Sequence, residues 1–238
     1  MADFVRKKYG GIPQGDEEKF IDAALKLVFA IDEDTNNDAM LHDAGRIIHR
    51  VFGFNEVTIG LRSPEDGKFR YEAIIGHTRE AEKALRSFSY TREEMCDCKE
   101  YPGVPISKYT EFNIREYETY KIGVEEKAFN RPLALRDTRP SPETMIEGDY
   151  IDVYIYASKD DMIGWIELSN PRYGKFPSRH DIRWLELFAA TIGLGIIKNQ
   201  AIARRRKYMN LIRKSQFLLL IFDKTMHIIP YAFHVRCG

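Results

Sequence analysis

The chain has 238 residues, 44% of them hydrophobic, which is enough for one sizeable core with extensions. Lys plus Arg and Asp plus Glu both total 36, so the formal net charge is zero and no global field favours nucleic acid or an anionic membrane as a partner. The basic residues of the opening MADFVRKKYGG have no apolar run behind them, no uninterrupted apolar stretch approaches roughly 20 residues, and three cysteines do not make a disulfide framework. The chain reads as cytoplasmic, with free thiols.

In residues 17 to 31, Phe20, Ala24, Leu27 and Ile31 fall on one helical face, with Ile21, Leu25 and Val28 beside them. A second amphipathic helix over 38 to 52 carries Met40, Ala44, Ile47 and Val51, flanked by Leu41, Ile48 and Phe52, and Gly53 stands where a left-handed residue closes a helix. Val57, Ile59 and Leu61 then alternate with polar residues, Ser63 to Gly67 turn the chain, and Phe69, Tyr71, Ala73 and Ile75 alternate again. This is a hairpin. Thr78 caps a short charged helix to about Ser87, after which residues 88 to 148 lose their periodicity and carry five prolines. Such a long irregular segment inside a compact domain is usually functional or mobile.

The sheet resumes with Ile151, Val153 and Ile155 on one face and Asp152, Tyr154 and Tyr156 on the other. Lys159 to Asp161 turn it into a last strand in which Gly164, Ile166 and Leu168 face the aliphatic side, and Trp165 and Glu167 join the aromatic and acidic side. Ser178 is the N-cap of a helix bearing Ile182, Leu185, Phe188, Ala189, Ile192 and Ile196 on its apolar side. That helix continues as KNQAIARRRKYMNLIRKSQ, where apolar density falls; the basic run there reads as a solvated face.

The order helix, hairpin, variable middle, paired strands and closing helix over residues 36 to 197 resembles a GAF domain, most specifically in IGWIELSNPRYGKFPSRHDIRWLELFAATIGLGI. It is similar to the GAF domains of microbial, including archaeal, sensor kinases. The resemblance implies an α+β fold: a twisted antiparallel sheet of about six strands, terminal helices on one face, and a ligand pocket with the irregular segment on the other. It also implies a sensory module for an unidentified small molecule, coupled to a histidine kinase or another signalling partner; the sequence shows no kinase or phosphate-loop motif of its own, and the apolar faces of the helices at 17 to 31 and 178 to 214 predict a parallel homodimer. Residues 1 to 35 then form an N-terminal extension and helix, 36 to 197 the domain, and 198 to 216 a signalling helix. Within 217 to 238, FLLLIFDKTMHIIPYAF resembles the opening strands of a PAS domain.

The ligand surface expected from this reading comprises Asp152, Tyr154, Tyr156, Trp165 and Glu167, since small-molecule pockets combine aromatic planes with a few fixed polar groups. Cyclic-nucleotide members resemble one another in an Asn-Lys pair, a spaced Phe and an Asp-Glu pair; here Pro171 follows Asn170, and His180-Asp181 stands after Phe176 where the acids would fall. Bilin-binding members attach the chromophore through a cysteine beside a histidine, and neither Cys96 nor Cys98 has a neighbouring histidine. No cofactor is specified and no metal cluster is readable. Cys96, Cys98 and His77 are the candidate redox or cofactor-ligating residues, and they carry the alternative of a free methionine sulfoxide reductase type of enzyme. A ligand-free dimerisation module is the other alternative.

Overall fold

In a computed structural model the chain is described over residues 16–31, 36–95 and 99–226, with side chains to residue 215. The first described elements are the helices α1 (Asp16–Ala30) and α2 (Asn37–Val51), and α2 is capped by Asn36, whose side chain accepts from the Ala39 N–H at 2.8 Å. Gly53 follows at φ 71, the left-handed conformation that needs no Cβ. Strands β1 (Phe54–Arg62) and β2 (Phe69–Ile75) form the hairpin, and α3 (Arg79–Leu85) is capped by Thr78.

The middle segment contains the single turn α4 (Arg92–Met95), the short strands β3 (Val104–Pro105) and β4 (Thr110–Asn113), and three 3-10 turns between Arg115 and Arg136. Strands β5 (Tyr150–Ser158) and β6 (Asp161–Pro171) and the long helix α5 (Arg179–Met226) complete the order. All six strands are antiparallel neighbours in the order β2-β1-β6-β5-β4-β3. This is an α+β architecture.

The main core lies on one face of the sheet. Val57, Ile59, Ile151, Val153, Ile155, Ile166 and Leu168 meet Leu27 of α1, Met40, Ala44 and Ile48 of α2, and Leu185, Phe188 and Ile192 of α5. Phe52 joins the helices through rings: it stacks on Phe20 at 4.9 Å and meets Phe188 edge-on at 5.3 Å. The helix α1, set outside the domain on sequence grounds, is thus part of its core. Its buried line runs through Phe20, Ala23 and Leu27, whereas Ile21, Leu25 and Val28 are about half exposed.

The chain divides into two compact units, 1–196 and 197–238. The stretch Arg179–Ser215 is long and apolar enough by composition to span a membrane, with 44% of its most apolar window buried in the fold; its residues Ile182, Leu185, Phe188, Ala189, Ile192 and Ile196 belong to the main core. In the second unit Tyr208, Met209, Leu211 and Ile212 are exposed. Residues 217 to 226, expected to open a PAS-like strand pair, are instead helical. The run FLLLIF consists of residues that continue a helix as readily as they form a strand, and no proline or glycine interrupts it before Pro230. The remainder of that expected pair lies outside the described residues.

Candidate functional site

The sheet's second face is ordered by strand register into transverse rows. Glu111 of β4 lies opposite Asp152 of β5, Asp152 opposite Glu167 of β6, and Glu167 opposite Thr58 of β1. Three carboxylates therefore stand side by side on adjacent strands. One neighbouring row is Tyr154, Trp165, Gly60 and Tyr71; the other is Asn113, Tyr150, Ser169 and Glu56.

Two irregularities set which side chains reach this face. Between Ile59 and Gly60 the register with β2 shifts, passing over Glu72, so that Tyr71 turns toward Trp165 while Ala73 stays in the main core. Simple alternation had placed Tyr71 and Ala73 together. A second shift follows Ile155, which pairs with Gly164 while Tyr156 pairs with Met162, and this sends Met162 into the aromatic cluster and Ile163 into the main core.

The irregular segment roofs the face. The Tyr90 and Tyr101 hydroxyls both donate to Glu125 Oε1, at 2.9 and 3.0 Å, and the Lys121 N–H donates to Glu125 Oε2 at 2.8 Å. Tyr150 donates to the Thr119 carbonyl, and Tyr154 to Glu111. Trp165 is only 1% exposed, in a cluster with Phe69, Tyr90 and Met162, and Tyr71 meets its ring edge-on at 5.0 Å. Gly60 makes room for the indole: a Cβ there would lie 2.0 Å from Trp165 Cη2.

The acids of the central row differ from two buried acids outside it. Glu147 is ion-paired to Arg131 at 2.8 Å and Asp149 to Arg139 at 2.7 Å, whereas Glu111, Asp152 and Glu167 have no basic partner among the described residues. Glu167 accepts from the Tyr71 hydroxyl at 2.9 Å, and Asp152 from Asn113 Nδ2 at 3.0 Å. Burial, reinforced by Glu167 and Glu111, pushes the Asp152 carboxyl well above the usual carboxylate range. Burial likewise raises Glu167 to about 7, against the pull of hydrogen bonds from Tyr71 and Trp165. Four buried atoms near or within these rows have no hydrogen-bond partner among the described residues: Asp152 Oδ1, Asn113 Oδ1, Thr58 Oγ1 and Thr119 Oγ1.

A putative two-component sensor histidine kinase domain from Sinorhizobium meliloti superposes at a TM-score of 0.51 and 12% identity, over 73% of this chain and 99% of that one. The GAF domain of a phosphoenolpyruvate-protein phosphotransferase from Acinetobacter gives 0.50 and 12%, over 76% and 94%. This chain has the GAF-domain fold. Free methionine-R-sulfoxide reductase from Neisseria meningitidis, solved in complex with its substrate, shares it at 0.51 and 11%, over 79% of this chain and 95% of that one. No protein-family model and no curated protein matches the chain.

Of the residues expected at a GAF ligand surface, Asp152, Trp165 and Glu167 share the roofed face with Tyr154. Tyr154 and Tyr156 also border a cleft of about 500 Å³ with Tyr109, Arg183, Leu187 and Leu194, where the Tyr156 and Tyr109 rings meet edge-on at 5.7 Å. His77, expected in an exposed turn, is partly buried, which lowers its pKa, and its Nδ1 has no partner among the described residues. Cys96, Cys98 and Cys237 lie outside the described residues.

Sequence reasoning missed Glu111, Asn113 and Glu125, because β4 is four residues long and sits in a segment without alternation. It missed Tyr71 because a bulge leaves no mark in a hydrophobicity pattern. The one available signal was the number of acids and tyrosines from Tyr90 to Tyr120, an unusual composition for a segment that only closes a loop.

Proposed function

We propose that the protein is a sensory or regulatory GAF module that binds a small molecule on the second face of its sheet. The observation that carries this reading is the roof. A long irregular segment spends its tyrosines and Glu125 on covering a face furnished with aromatic rings and unpaired polar groups, where an inert cover would be apolar. Native mass spectrometry of the gently purified protein, with an absorption spectrum, tests it. A bound small molecule lost on unfolding is the expected result, and a protein that stays empty in cell extract favours a module that only dimerises.

The reading includes a homodimer and, through it, a signalling partner such as a histidine kinase. Ile21, Leu25 and Val28 on α1 and Leu187 and Leu194 on α5 are 47% to 68% exposed, and a partner copy would cover such apolar side chains. Light scattering at tens of micromolar, on the order of weak signalling affinities, should report a dimer. Leu25→Glu with Leu194→Glu should convert it to a folded monomer. A wild-type monomer at that concentration counts against the dimer.

A further inference from the structure

Resting on that ligand-binding reading, we infer that the roofed face takes an organic cation, a small protonated amine or ammonium compound, with Glu111, Asp152 and Glu167 as its counter-charge and Tyr154 and Trp165 as its aromatic wall. Like charges directly opposite on neighbouring strands destabilise a sheet, and here the arrangement occurs twice in one row. A fold that pairs Glu147 and Asp149 with arginines leaves these three without one. The roof adds Glu125, a further acid, where a lysine or arginine would have neutralised the row.

Hydrogen bonding agrees with charge. Asp152 is 8% exposed and Asn113 1%, and each retains an unpartnered Oδ1. The Asn113 amide oxygen can only accept, and Asp152 Oδ1 can only accept once its carboxyl is ionised, so an occupant that favours the ionised form must donate to the pair. An anion would be repelled by the acid row and a neutral molecule would leave its carboxyls protonated, whereas a cation supports their ionised form. No cluster of three or more His, Cys, Asp or Glu among the described residues has the placement to hold a metal ion. A cation with N–H groups or a polarised methyl shell, placed between acid and aromatic rows, meets both demands.

The test uses the full chain, dialysed free of small molecules, in a Trp184→Phe background so that emission reports Trp165 alone. Putrescine, tetramethylammonium and methylguanidinium are titrated at about pH 8, where all are charged, with butyrate and butyramide as anionic and neutral counterparts. At least one cation should raise the melting temperature and change Trp165 emission, and Asp152→Asn with Glu167→Gln should weaken it by at least about tenfold. Should that double variant fail to fold, Glu111→Gln, at a partly exposed position, should weaken it several-fold. Silence toward all three cations, or equal affinity in the variants, overturns the inference. A Trp165 response confined to butyrate or butyramide overturns the cation and keeps the ligand-binding face. No response to any of the five compounds, with an empty native mass spectrum, overturns both.

Discussion

Replacing Trp165 with Ala should cost about 3 to 5 kcal/mol of stability, as much as truncating a residue of the main core. Trp165 is 1% exposed, its ring meets Tyr71 at 5.0 Å and Phe69 at 6.2 Å, and Gly60 leaves the floor beneath it open for the indole. The loss combines the buried area of the largest side chain with a cavity that rings held by hydrogen bonds, such as Tyr71 to Glu167, cannot readily fill. Ile166→Ala, on the opposite face among the side chains of α2 and α5, should cost roughly 2 to 5 kcal/mol. Urea unfolding followed by circular dichroism compares the two. A Trp165→Ala loss below about 1 kcal/mol would mean that the indole lines open space rather than a packed cluster. Alternation places Trp165 on the expected ligand side of the sheet, and its burial among Phe69, Tyr71, Tyr90 and Met162 gives it a structural part there.

Much of the architecture was legible because the pattern was strong. Val57 and Ile59, Ile151 to Ile155, and Ile166 and Leu168 alternate cleanly, and each set faces the helices as its period requires. Thr78 and Ser178 stand at helix starts because their side chains satisfy free backbone N–H groups; Ser178 Oγ accepts from the Asp181 N–H at 3.2 Å, and the Asp181 carboxylate accepts in return from the Ser178 N–H at 2.9 Å. The site was legible only in half. Asp152 and Glu167 followed from alternation, but their third companion, Glu111, belongs to β4, whose pairing with β5 is a long-range choice that no local pattern encodes. The bulge at Glu72 is likewise a tertiary fact: it lets Tyr71 meet Trp165, and only the register with β1 reveals it.

The second large effect is a fall in stability as pH rises through the acid-to-neutral range, centred on Asp152 and Glu167. An unfolded Asp or Glu titrates near 4, whereas in the folded protein burial holds Glu167 to about 7 and Asp152 well above its ordinary value. Between those limits the folded state carries protons that the unfolded state has released, so the stability-pH slope is negative. Stability is fully present below the unfolded pKa and lost as pH climbs through the folded one. Glu167 alone accounts for about 3 kcal/mol on this basis. Glu111, Glu125 and Glu56 push in the same sense as burial, Tyr71 and Tyr90 stay protonated throughout, and only the hydrogen bonds from Tyr71 and Trp165 to Glu167 and from Asn113 to Asp152 pull the other way. Denaturant melts between about pH 5 and 8 should show this slope in the parent and flatten it in Glu167→Gln, which should be the more stable protein at the alkaline end. A slope that rises with pH, or that survives in both Glu167→Gln and Asp152→Asn, would remove the buried acid row as its source. A bound amine should reverse the sign, because it requires the ionised carboxylates; its stabilising effect should therefore grow as pH rises, until the amine itself loses its proton.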